Sequence, residues 1–213
     1  MRLSVALLVG ALLIWNVCCE PKVIYKTTNL ECFTIPMLTG NASCILKAIN
    51  WNMAVAQMDV YFLQPVNNMT VRIKVFKRDY SNKYHPFLVD VLVNLCDIID
   101  RRNHSPYGKY MWNLFKRYTN FNHSCPFVGH MFARDLFIDE SVVPIKLPLG
   151  YYQVSLTSFE NYRDKPPLCL GTIKFYAQSM IPVTSKRNRT MPMNRTNIQD
   201  TLQTAIIPVQ IGN

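Results

Sequence analysis

Glycine is scarce in this chain: seven residues are scattered through 213, and none are grouped as a phosphate-cradling loop requires. That excludes the common nucleotide-binding devices. No G-x-S-x-G elbow is present either, so a nucleophile held beside a base has no sequence signature here. Histidine is rarer still, at His85, His104, His123 and His130. His104 and His123 lie inside glycosylation sequons, which places them on surface loops rather than in a shielded cleft. Acidic residues number 13 against 23 lysines and arginines, and the groupings Asp97 with Asp100 and Asp139 with Glu140 read as solvated surface. His123, Cys125 and His130 can be arranged on paper as metal ligands. A fourth ligand is lacking, however, and an extracellular cysteine is more often oxidised. The chain is therefore expected to be no enzyme and to carry no metal and no cofactor. Past the N-terminus it also lacks any apolar stretch long enough to span a bilayer, any block of five like charges and any internal repeat.

What is present begins with a compartment signal. Arg2 supplies positive charge, residues 3–15 are uncharged and apolar, and Val17-Cys18-Cys19 precede polar Glu20-Pro21, the pattern of a secretory signal peptide. The run is shorter than the roughly 18 to 20 residues of a spanning helix. Residues 1–19 are expected to be removed, leaving a secreted, extracellular protein with one domain at 20–181. The formal charge of +10, less Arg2, reads in that compartment as solvated basic surface. Nucleic acid is not an expected partner, whereas peripheral contact with anionic lipid headgroups or acidic glycans needs only a positive rim. Six sequons begin at Asn41, Asn68, Asn103, Asn122, Asn188 and Asn194; Asn41, Asn68 and Asn122 are the expected glycosylation sites.

Residues 23–32 form a β-rich run ending at Cys32, and Cys44 opens a second β-like segment at 45–50 beyond a loop with Pro36, Gly40 and Asn41. Residues 57–63 alternate, with Met58, Val60 and Phe62 on one side. After a turn at 65–68 the alternation resumes with Met69, Val71, Ile73 and Val75. The two runs are expected to pair as a half-buried antiparallel hairpin. At 84–96 a strand through Phe87, Val89, Val91 and Val93 gives way to a short helix. Ser105 then reads as an N-cap with Pro106 at the first helical position, followed by Tyr107, Tyr110, Met111, Leu114, Phe115 and Tyr118 at helical spacing. Strands return at 130–138, at 151–159 with Tyr152, Val154 and Leu156 on one face, and at 169–178 with Ile173 and Phe175 on one face. Parity places Cys169 inward with the last pair. From residue 182 periodicity is lost, and 182–213 reads as a disordered basic tail.

Five cysteines outlast the signal: Cys32, Cys44, Cys96, Cys125 and Cys169. A bridge between Cys32 and Cys44 closes a short loop, worth about 3 kcal/mol on the chain-entropy model, and one between Cys96 and Cys125 about 3.5 kcal/mol. The second clamps the helical segment to its flanking strands. Two arrangements stay open for the fifth thiol: free and inert, or paired with Cys32 so that Cys44 is left over. Two amphipathic sheets facing one another make a sandwich about 10 Å apart. If the faces touch they form a core; if they splay, the gap is an apolar pocket. On the residues alone, close packing favours the filled core.

Taken together, Thr28-Asn29-Leu30-Glu31-Cys32, Cys44-Ile45-Leu46-Lys47-Ala48-Ile49-Asn50, Pro86-Phe87-Leu88, Asn94-Leu95-Cys96, Asn122-His123-Ser124-Cys125-Pro126 and Leu147-Pro148-Leu149-Gly150-Tyr151 resemble a large insect family of secreted proteins of unknown function. That family is similar in turn to the lipid-recognition domains related to myeloid differentiation protein 2, the ganglioside activator and the Niemann-Pick cholesterol carrier. The resemblance covers about residues 23–180. It implies a mainly β fold: an immunoglobulin-like antiparallel β-sandwich with a helical insert between Cys96 and Cys125, holding an acyl chain, sterol or other apolar molecule between its sheets. It also implies a chemosensory or lipid-transfer setting. The chain departs from the pattern at Asn94, where Asp is expected, in the length of the insert and in the tail.

The expected pocket lining is Val71, Ile73, Val75, Tyr152, Val154, Leu156, Ile173 and Phe175, with Tyr107, Tyr110, Met111 and Leu114 as a lid. The alternative is a solid-core extracellular module that meets a receptor through its loops and takes no small ligand.

Overall fold

The computed structural model describes residues 22–100, 105–138, 143 and 146–183. The expected signal peptide at 1–19, residues 184–213 of the tail expected at 182–213, Asp139-Glu140 and the sequons at Asn103, Asn188 and Asn194 lie outside the described residues.

Period-two stretches rich in valine, isoleucine, threonine and aromatics build the strands β1 (Ile24–Thr34), β2 (Thr39–Asn50), β3 (Met53–Val66), β4 (Met69–Arg78), β5 (Tyr84–Asn94), β6 (Phe127–Leu136), β7 (Gly150–Glu160) and β8 (Leu168–Met180). Between β5 and β6 lie two helices, α1 (Leu95–Ile99) and α2 (Pro106–Phe115). One sheet runs β1-β8-β7-β4-β5 and the other β2-β3-β6, with antiparallel pairing throughout. Their apolar faces meet in one cluster, to which the small sheet gives Met58, Phe62 and Met131 and the large sheet Val71, Ile73 and Phe175. This is an antiparallel β-sandwich with a helical insert between Cys96 and Cys125, as the sequence predicts.

The expected hairpin is absent. β3 pairs with β2 and β6, while β4 pairs with β5 and β7, so the turn after Val66 carries the chain from the small sheet to the large one. Each strand alternates because each buries one face, and those faces oppose one another across the interior. A period of two does not say which sheet a strand joins.

Cys169 also departs from its expected parity. The pairing of β7 with β8 slips between Ser158 and Phe159, and the extra residue in β8 turns Leu170 inward, 3 % exposed. Cys169 is left opposite Phe159, half-buried and free. Disulfides join Cys32 to Cys44 and Cys96 to Cys125.

Asn94 ends β5 and starts α1. Its Oδ1 accepts the Asp97 N–H at 3.1 Å, and its Nδ2 donates to Asn68 Oδ1 at 2.7 Å. Aspartate caps a helix equally well but has no proton to give Asn68, which accounts for asparagine where the resemblance leads one to expect an acid. At α2, Ser105 Oγ accepts the Gly108 N–H at 3.4 Å and Pro106 opens the first turn.

Gly108 is buried, and a Cβ there would land on Ile98 Cδ1 and lie 3.1 Å from Val93 Cγ1. The bare glycine thus lets α2 press against α1 and the end of β5, which directs Met111, Trp112 and Phe115 at the core. Glycine to alanine inside a helix ordinarily stabilises by about 0.5–1 kcal/mol. Gly108→Ala is expected instead to destabilise by about 1–3 kcal/mol through overpacking, read as a lower urea midpoint at constant m-value. An unchanged or higher midpoint would contradict this close seat.

Candidate ligand-binding cavities

Two cavities separate the sheets, of about 160 and 220 Å³. Met58 and Phe62 of β3, Met131 of β6, Val71 of β4 and Leu170 and Ile173 of β8 wall the first, with Cys32 and Cys44 at its edge. Ile73 and Val75 of β4, Tyr152 and Val154 of β7, Phe175 of β8 and Leu136 of β6 wall the second. Met111, Phe115 and Leu156 border both.

The eight residues expected to line a ligand pocket are placed as follows. Val71 and Ile173 face the first cavity; Ile73, Val75, Tyr152, Val154 and Phe175 face the second; Leu156 faces both. Tyr107, Tyr110, Met111 and Leu114 line the second cavity, and Met111 also reaches the first. Helix α2 therefore stands over the junction of the two spaces rather than at one end of the sandwich.

The strand faces meet in one apolar cluster and leave two cavities beside it. Alternation says which side of a strand is apolar and leaves the gap between sheets undetermined. An apolar space of 220 Å³ is uncommon between packed sheets, since protein interiors hold few voids larger than a water molecule.

Beside the second cavity the chain at Leu147 and Pro148 is pinned by three hydroxyls. The Leu147 N–H donates to Tyr25 Oη at 3.0 Å, Ser179 Oγ donates to Leu147 O at 3.2 Å, and Tyr152 Oη donates to Pro148 O at 2.7 Å. Tyr152 is 1 % exposed, and burial pushes its phenol up, which keeps the donor proton in place.

Among the described residues that line the cavities there is no lysine, arginine or histidine, and one carboxylate, Asp59, stands at the edge of the first. Arg134 Nη1 donates to Asp59 Oδ2 at 2.9 Å, and His130 Nε2 lies 2.7 Å from Oδ1. The Arg134 hydrogen bond holds this carboxyl below its usual 3.8, against a smaller opposing effect of burial and with His130 adding to the depression. Cys125 is spent in its disulfide, so His123, Cys125 and His130 have no thiolate to offer a metal. Asn41, Asn68 and Asn122 are exposed; the contact of Asn68 with Asn94 uses its oxygen rather than the nitrogen a glycan takes.

The opposite wall escapes sequence reasoning. Met58, Val60 and Phe62 carry a clear alternation, yet a hairpin sets them beside Val71 and Ile73 rather than facing them. Tyr25 and Thr27 are hidden because the register of β1 slips between Thr27 and Asn29, and Leu147 sits in a loop without period.

Tyr152→Phe strips Pro148 O of its donor and is expected to cost about 1 kcal/mol, with faster amide exchange at Leu147; equal exchange and equal stability would remove the pin from the account. Asp59 has a folded pKa below its unfolded one, so its contribution is complete above about 3.8 and is lost as the pH falls through the folded value. Asp59→Asn is expected to lower stability at neutral pH and to make the decline as the pH falls below about 3.8 shallower, measured by urea unfolding; parallel acid limbs would speak against the pair.

Residues 71–154 match the model of a family described as protein of unknown function (DUF1091). That span runs from β4 into β7 and takes in both helices, Cys96 and Cys125. No curated protein matches the sequence. Over the stretch that builds a central strand and the helical wall of both cavities, the chain is thus similar to a family whose function is unknown.

Proposed function

We propose that this is a secreted, non-enzymatic protein that binds a lipid or other small apolar molecule between its two sheets. The observation that carries the reading is the pair of apolar cavities. The larger, about 220 Å³, exceeds the roughly 150 Å³ apolar cavity that stays dry and admits benzene. The similarity of the segments around Cys32, Cys96, Cys125 and Leu147 to the lipid-recognition domains points the same way, and suggests a chemosensory or lipid-transfer setting. Two disulfides suit an oxidising, extracellular compartment. No helix among the described residues is long and apolar enough to cross a membrane. The solid-core interaction module draws no support from an interior that holds two voids.

The lining also bears on ligand charge. An ionised headgroup drawn into either cavity finds no cationic partner among the described lining residues, and burying an unpaired charge is costly. The ligand is therefore uncharged, or leaves its polar group at the mouth. Native mass spectrometry of the secreted protein, stripped and reloaded with methyl palmitate, hexadecanol or palmitate, tests this. The neutral pair is expected to bind at least about tenfold tighter than the ionised acid at neutral pH. Equal or tighter binding of palmitate would overturn the charge argument, and failure of all three, with no molecule retained from solvent-extracted lipids, would overturn binding itself.

A further inference from the structure

The two cavities follow one another along the strands. β4 gives Val71 to the first and Ile73 to the second, and β8 gives Ile173 and then Phe175. On β7 the boundary falls at Leu156, and facing it are Met111 and Phe115 of α2, four residues apart and so on one stripe of the helix. The division is made where these three side chains stand. Met111 and Phe115 are half-buried and carry no hydrogen-bonding group that must be satisfied. The thioether of methionine is unbranched and changes rotamer readily, so moving this partition breaks no polar contact.

Resting on the reading of the cavities as a binding space, we propose that Met111, Phe115 and Leu156 form a movable septum, and that the ligand is a single unbranched chain threading both cavities with the Met111 and Phe115 side chains turned aside. The space from Ser158 to Tyr152 along β7 borders first one cavity and then the other and measures roughly 20 Å at the rise of a strand, the reach of a long alkyl chain. Neither cavity alone has that length. A flexible chain needs one narrow file through the septum, whereas a rigid fused-ring molecule needs the partition cleared across its width. The septum would thus select for chain length and against rings.

The test uses the full secreted chain, with hexadecanol, octanol and cholesterol as probes, and counts bound molecules by native mass spectrometry while titrations give affinities. The wild type is expected to take one hexadecanol, which displaces octanol from both cavities, and to bind cholesterol at least about tenfold more weakly than hexadecanol. Met111→Phe thickens the septum: hexadecanol is expected to weaken by about tenfold or more, and by several-fold more than octanol, which stays within one cavity and never crosses the partition. Met111→Ala thins it and is expected to tighten hexadecanol by several-fold relative to octanol, a change opposite in sign to that of Met111→Phe, which separates the proposal from a variant that merely folds badly. Parallel changes for both alcohols, no change for either, hexadecanol leaving one octanol in place, or cholesterol matching hexadecanol would overturn the septum while leaving apolar binding intact. Failure of the wild type to hold any of the three would overturn both.

Discussion

Two disulfides tie the strands of the large sheet, directly or through the helix that follows β5, to those of the small one. Cys32 stands in β1 of the large sheet and Cys44 in β2 of the small one; Cys96 stands in the helix that continues β5, and Cys125 in the segment that enters β6. A sandwich whose faces meet everywhere is held by the burial of those faces. Here two apolar cavities interrupt the contact. A disulfide acts largely by restricting the unfolded chain, at about 3 kcal/mol for loops of this size, and needs no atom in the middle of the interface. The covalent ties therefore hold the sheets opposite one another while leaving space between them.

The same division of labour explains where the charge lies. Arg72 and Lys74 alternate with buried Val71 and Ile73, so they stand on the outer face of the large sheet, where both meet Asp90 at 2.8 and 3.5 Å. Arg78 lies over Tyr151 at 4.0 Å and Lys174 over Phe33 at 4.8 Å. Arg134 is held by Asp59 and the Phe132 ring on the small sheet. Exposed pairs of this kind add little stability. Their effect is positional: these cations are held on carboxylates and rings, and the described residues of the cavity walls include none.

Much of this was legible before any coordinates. The strands announce themselves through Val71, Ile73 and Val75 or Tyr152, Val154 and Leu156, since a strand with one wet face must alternate. Ser105-Pro106 marks the start of α2 because the cap and the fixed proline φ are local chemistry. The partnership of strands was not legible: β3 and β4 look like a hairpin and belong to different sheets, because alternation records burial and not the neighbour. Cys169 departs from its expected face for a related reason: the unpaired residue at Leu170 separates it from the alternation that Ile173 and Phe175 keep. The cavities were beyond reach, because the distance between two apolar faces is settled by the whole set of side chains, ties and loops.

Helix α2 is where more could have been read. At about 100° per residue, and measured from Met111, Tyr107 lies near −40°, Leu114 near −60° and Tyr110 near −100°, while Phe115 lies near +40° and Trp112 near +100°. The three on the negative side line the second cavity, Met111 and Phe115 border both, and Trp112 lines the first. The order around the helix is thus the order of the spaces it faces. The apolar arc spans roughly 200°, about twice the stripe a helix needs to rest on a single surface. A ten-residue helix with so wide an arc has more apolar face than one sheet can cover, which is itself a sequence-level sign that it looks onto two surfaces. Counting Trp112 in the stripe, rather than stopping at the tyrosines, is what turns a lid over one pocket into the wall between two.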